Sequence, residues 1–86
     1  MVLWGDYQTD NVRMSRDIRQ QLGKRIRDLR EKSGLTQEVL AERAGISTKY
    51  LQNLEGKNPK KATIITLQRL AAGFEIPIWK LLKFKD

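Results

Sequence analysis

The chain has 86 residues, enough for one small domain and too few for a separate ligand-sensing or catalytic domain beside it. It contains no Cys and no His, which excludes disulfides, thiolate chemistry and the usual zinc sites and suits a reducing, cytoplasmic setting. The formal net charge is +7, and a basic excess on one domain points to a polyanionic partner such as DNA, RNA or a membrane surface.

The first fifteen residues, MVLWGDYQTDNVRMS, show no clear period and are acidic as far as Val12, with Asp6 and Asp10. From Arg13 onward lie all 17 bases and eight of the ten acids, a net charge of +9. Three readings of residues 1–15 stay open: a disordered leader, an extension upstream of a natural start at Met14, or an arm that packs on a partner through Trp4 and Tyr7. An arm that wraps DNA is disfavoured, because Asp6 and Asp10 repel phosphate. No basic stretch followed by an apolar core marks a signal peptide, and no apolar run approaches the roughly 20 residues of a membrane span. The domain proper is expected over 16–86.

Ile18, Leu22, Ile26 and Leu29 lay one apolar stripe along a helix from Arg16 to Ser33. Ser15 is its expected N-cap and Gly34 its stop, and Arg19, Lys24, Arg27, Glu31 and Lys32 form a solvated opposite face. Thr36 then caps a helix running through Ala44, with Leu40, Ala41 and Ala44 turned inward. Ser47 caps a third helix that buries Leu51 and Leu54 and stops at Gly56. GKNPKKA reads as a loop, broken by Gly, Asn and Pro and kept wet by three lysines. Thr63 caps a fourth helix with the stripe Leu67, Leu70, Ala71 and Phe74, ending near Gly73. A short fifth helix begins around Pro77 in its first turn and carries Ile78, Leu81 and Leu82. No strand alternation and no repeat appears. The expected fold is therefore a compact all-α domain of five helices, its core drawn from Leu22, Ile26, Leu29, Leu40, Ala41, Ile46, Leu51, Leu54, Leu67, Leu70, Phe74 and Leu81.

The stretch TQEVLAERAGISTKYLQNLEG, about residues 36–56, carries the function. Ala41 is small enough for two helices to approach closely, Gly45 accepts a positive φ without steric cost, and Ile46 plugs the corner. That is the pattern of a helix-turn-helix, with a plain helical hairpin as the alternative. The outward face of the second helix decides between them. Thr48, Lys49, Gln52 and Asn53 are hydrogen-bonding side chains of moderate length, suited to base edges in a major groove, where a merely solvated helix favours Glu and Lys pairs. Gln37 sits in a first turn whose free N–H groups favour phosphate, and Lys57, Lys60 and Lys61 follow as clamps on a nucleic-acid backbone.

LTQEVLAERAGISTKYLQNLEGKN resembles the helix-turn-helix of the Xre/Cro family, which includes the phage lambda repressor DNA-binding domain. The likeness spans roughly residues 18–83, including GKRIRDLREKSG before the motif and TLQRLAAGFEIPIWKLL after it. The resemblance implies a compact, five-helix, lambda-repressor-like domain. It also implies that Gln37 touches phosphate, that Thr48, Lys49 and Asn53 reach base edges, and that Gln52 does so in some members. Tyr50 falls where phosphate contact or partial packing is usual. Lys57, Lys60 and Lys61 match a loop that grips the backbone, although NPKKA departs from the family's usual loop and weakens the match at Lys60 and Lys61. Arg30 and Glu55 match an ion pair between the first and third helices, which would spare an unpaired Glu55 from facing phosphates.

The function expected on these grounds is a sequence-specific, double-stranded DNA-binding transcriptional regulator, a dimeric repressor or controller protein. An antitoxin-type module that also binds a protein partner is the alternative. The homodimer is expected through Ile78, Trp79 and Leu82. No enzyme activity, cofactor, metal or membrane attachment is expected: the acids are scattered, and no Gly-rich phosphate loop is present.

Overall fold

Three polar caps and three left-handed turns set the architecture. The computed structural model describes the backbone of residues 3–84 and the side chains of residues 18–84. Five helices follow one another, α1 (Leu3–Lys32), α2 (Gln37–Ala44), α3 (Thr48–Leu54), α4 (Ile64–Phe74) and α5 (Ile78–Leu81), with no strand among the described residues. The domain is all-α, as the periodicity indicates.

Each hydroxyl cap accepts the backbone N–H three residues on. Thr36 takes that of Val39 at 3.1 Å, Ser47 that of Tyr50 at 3.0 Å, and Thr63 that of Thr66 at 3.1 Å. At the other ends, Gly34 (φ 72°) and Gly45 (φ 69°) close α1 and α2. In both, the next residue's N–H reaches back five positions, Leu35 to Arg30 O and Ile46 to Ala41 O, each at 3.0 Å.

Two boundaries differ from the sequence pattern. Helix α1 does not start after a Ser15 cap but runs from Leu3. Nothing in LWGDYQTDNVRMS contains a proline, and a serine inside a helix costs under about 0.7 kcal/mol, so Ser15 does not oblige the helix to begin there. The readings that place Trp4 and Tyr7 on a partner lie outside the described side chains. Helix α4 passes through Gly73 and ends at Phe74, and Glu75 adopts the left-handed conformation (φ 59°) in place of a glycine. Gly73 serves packing instead: a Cβ there would stand 3.3 Å from Leu40 Cδ1 and 3.4 Å from the Ala44 nitrogen. Smaller shifts occur at α3, which stops at Leu54 with Glu55 as its C-cap, and at α5, where Pro77 is the N-cap rather than a first-turn residue.

Every helix sends at least one side chain into a single core. Ile26 from α1, Leu40 from α2, Leu51 and Leu54 from α3, Leu70 from α4 and Leu81 from α5 are all essentially inaccessible. Each contributes about 1.5–3 kcal/mol of burial. Ala41, Ala44, Ala71 and Gly73 are buried as well, and their small size lets α2 and α4 lie close. Leu29, Ile46, Leu67 and Phe74 pack at the rim, joined by Tyr50 and Phe84, while Ile18 is left 45% exposed. Arg25 ties α5 to α1 by donating from Nη2 to the Lys80 carbonyl at 2.7 Å. Among the described residues, no helix is long and apolar enough to cross a membrane.

Candidate nucleic-acid interface

The corner between α2 and α3 aims α3. With Gly45 left-handed and Ile46 packed against the core, α3 leaves the turn with Leu51 and Leu54 pointing inward. The Arg69 guanidinium donates to the Gly45 carbonyl at 3.4 Å and braces the corner from α4. Because a helix repeats every 3.6 residues, burying positions 51 and 54 turns 48, 49, 52 and 53 outward. Lys49 and Gln52 are exposed there, and Thr48 and Asn53 are half-buried.

Behind this face lies a polar knot. Arg30 donates to Glu55 from both Nε (2.9 Å, to Oε2) and Nη2 (3.0 Å, to Oε1), and from Nη1 to the Leu35 carbonyl at 3.0 Å. The Glu55 side chain is only 3% exposed and that of Arg30 14%, so the carboxylate sits among donors rather than facing outward. Hydrogen bonding to Glu55 raises the guanidinium's pKa, with burial working against it and the charges of Glu55 and Glu31 adding to the rise. Gln37 joins the knot by donating from Nε2 to Glu55 Oε1 at 3.1 Å. One amide hydrogen of Gln37 is thus committed within the chain, and its other hydrogen and its Oε1 remain.

The loop after α3 is fastened to α3 itself. Asn53 Oδ1 accepts the Lys60 N–H at 2.8 Å, and the Tyr50 hydroxyl donates to the Lys61 carbonyl at 3.0 Å. These bonds hold Lys60 and Lys61 beside the helix, with their ammonium groups exposed like that of Lys57. Thr48, Lys49 and Gln52 therefore share one outward face with the three loop lysines at its edge. Gln37, Tyr50 and Asn53 have part of their hydrogen-bonding capacity engaged inside the domain.

Sequence reasoning did not find these internal engagements. The signal for the loop tether was present: an Asn in the last turn of α3 and a Tyr one turn earlier, facing a proline-containing loop that cannot pair its own backbone. Gly23 was also missed. A Cβ at Gly23 would overlap the Leu54 carbonyl oxygen and lie 3.3 Å from the carbonyl carbon, so the glycine sets how closely α1 approaches the end of α3.

A family described as helix-turn-helix matches residues 26–78. Among solved structures, the restriction-modification controller protein C.AhdI from Aeromonas hydrophila is similar at 28% identity and a TM-score of 0.69, over 73% of this chain and 94% of that one. SinR, the master regulator for biofilm formation, solved in complex with DNA, is 29% identical with a TM-score of 0.66, over 72% of this chain and 98% of its own. C.Esp1396I bound to a 19 base pair DNA duplex is 25% identical with a TM-score of 0.68, over 76% of this chain and 89% of that chain. Comparison with curated proteins finds no match.

Proposed function

The chain belongs to the helix-turn-helix family, and on that premise we propose that it is a DNA-binding transcriptional regulator that reads duplex sequence with α3. One observation carries the reading. The core anchors Leu51 and Leu54, and the left-handed Gly45 corner leaves Thr48, Lys49 and Gln52 as an outward polar face bordered by Lys57, Lys60 and Lys61. The DNA-bound states of SinR and C.Esp1396I support it.

The mechanism needs no bond-making chemistry. Lysines neutralise phosphates and release counterions, which supplies affinity without sequence preference. Thr48, Lys49, Gln52 and the free amide nitrogen of Asn53 enter the major groove and distinguish bases by their donor and acceptor patterns. Gln37 uses its second amide hydrogen, together with the unpaired backbone N–H groups of α2's first turn, to hold a phosphate. Glu55 is kept from repelling the backbone by Arg30. Residues 16–86 form the DNA-binding unit, acting in the cytoplasm as a repressor or controller.

One α3 covers only a few base pairs, so the active form is a homodimer on half-sites about one helical turn apart. Its surface is the α4–α5 side. Trp79 is 60% exposed and Leu82 38%. Ile64, 71% exposed, lines an apolar groove with Ala71, Ala72, Ile76 and Ile78. Ile78 itself packs partly on the core, so the contact falls to Trp79 and Leu82 together with Ile64 of α4.

Selection from random duplexes, followed by fluorescence anisotropy, tests the proposal. A specific regulator enriches a two-fold motif and binds it at least about a thousandfold more tightly than random duplex. Failure to enrich any motif, with equal affinity for all duplexes, would refute it.

A further inference from the structure

Helix α1 carries a basic edge that the reading face does not use. Gly23 brings α1 against the end of α3, and Arg30, seven residues further on the same face, pairs with Glu55. On either side of Gly23 the edge of α1 faces the start of the α3–α4 loop. Two clefts open along that seam. One is lined by Arg19, Lys57 and Lys60 with Gln20, Asn58 and Pro59, and the other by Lys24, Arg27 and Lys57 with Gln20, Glu55 and Gly56. They share Gln20 and Lys57, so five cations converge on one continuous trough. Its single carboxylate, Glu55, is already paired to Arg30.

We propose that this trough, formed by Arg19, Lys24 and Arg27 of α1 with Lys57 and Lys60, is a second phosphate-binding surface that seats the DNA strand bordering the groove read by α3. The inference rests on the DNA-reading function proposed above and adds α1 to it. Position fixes the ligand. Helix α3 has seven residues, about 10 Å of rise, close to the roughly 12 Å width of a major groove. A trough beyond the C-terminal end of α3 therefore meets the sugar-phosphate strand at the groove's edge rather than base edges. Its side chains are mostly cations, with Gln20 and Asn58 as further donors and Pro59 at one wall, and it offers no aromatic ring for a base to stack on. The α1 cations thus raise affinity for every duplex alike and leave the preferred sequence unchanged.

The test uses the full chain, a selected duplex and the triple variant Arg19→Gln/Lys24→Gln/Arg27→Gln. A control variant, Lys32→Gln/Lys80→Gln/Lys83→Gln, removes the same charge away from the trough, at the C-terminal end of α1 and around α5. Circular dichroism checks that both remain folded. The slope of log K against log salt should fall by about two to three units per protomer in the trough variant, hence by about five for the bound dimer, at roughly 0.9 for each lost phosphate contact, and far less in the control. Neutral methylphosphonates placed singly along the duplex should weaken wild type at phosphates bordering the groove and cease to matter there in the trough variant. Equal slopes in wild type and trough variant would overturn the inference while leaving DNA reading intact, as would equal losses in the two variants. Failure of wild type to bind any duplex would instead remove the functional proposal on which it stands.

Discussion

Replacing Gly23 by alanine sets two effects of known size against each other. In the interior of a helix, Gly→Ala ordinarily stabilises by about 1 kcal/mol, because alanine loses less backbone freedom on folding. Here the added Cβ overlaps the Leu54 carbonyl oxygen and approaches its carbon and the Glu55 Cα, at 3.3 and 3.6 Å. All three are backbone atoms, so no rotamer change relieves the clash and α1 must move away from α3. Overpacking that shifts backbone costs about 1–3 kcal/mol or more, and the same displacement stretches the Arg30–Glu55 pair along the seam. Gly23→Ala should therefore destabilise by about 1–2 kcal/mol net. At about 4–8 °C per kcal/mol for a domain of this size, its Tm should fall by roughly 5–15 °C in a thermal melt followed by circular dichroism. Two other glycines calibrate the result. Gly34→Ala meets nothing within 4 Å but must hold φ at 72°, so it should lose about 1–2 kcal/mol from strain alone. Gly73→Ala, with its nearest contact a movable Leu40 methyl at 3.3 Å, should stay within about 1 kcal/mol of wild type. A Gly23→Ala protein that melts at or above wild type would refute the claim that this glycine sets the α1–α3 distance.

Arg30→Ala strands Glu55 with only Gln37 for a partner and should cost about 3 kcal/mol in urea unfolding, whereas Arg30→Met with Glu55→Leu should recover most of that loss. Because the guanidinium's pKa is raised, its contribution is complete below the unfolded value and lost only as pH rises through the folded one. The stability gap between wild type and Arg30→Met should thus stay flat from about pH 7 to pH 10. Asn53→Ala removes the acceptor of the Lys60 amide and should speed that amide's hydrogen exchange about five- to tenfold, equivalent to about 1 kcal/mol. Trp79→Ser should shift sedimentation toward monomer at a concentration where wild type is dimeric, without lowering the monomer's Tm by more than about 0.5 kcal/mol's worth; an unchanged sedimentation coefficient would move the dimer surface elsewhere.

Features that depend on a few neighbouring residues were legible before the structure. Thr36, Ser47 and Thr63 are caps because a hydroxyl placed before an apolar stripe has one obvious donor to satisfy. Gly45 marks the corner because the turn needs a positive φ between two short stripes. Legibility failed where one residue type serves two purposes. Gly73 looks like a stop and is a close-approach residue, and the stop falls to Glu75, which no local preference would choose. Ser15 looks like a cap and sits inside a longer helix. Gln37, Tyr50 and Asn53 present the same donors and acceptors whether their partner is DNA or the chain itself, and only folded distances reveal the bonds to Glu55, Lys61 and Lys60. The basic edge of α1 looked merely solvated because its neighbour, the loop at Lys57, lies about thirty residues away in the sequence and is brought to it by Gly23.

The most direct measurement is the duplex motif selected by wild type, Lys49→Ala and Lys57→Ala under one salt condition. If α3 reads bases and the loop holds phosphate, Lys49→Ala should lose discrimination at one or two positions, each worth about 1–3 kcal/mol, while Lys57→Ala binds every duplex more weakly and selects the wild-type motif. An unaltered motif from Lys49→Ala, or a rewritten one from Lys57→Ala, would contradict the assignment of α3 as the reading helix.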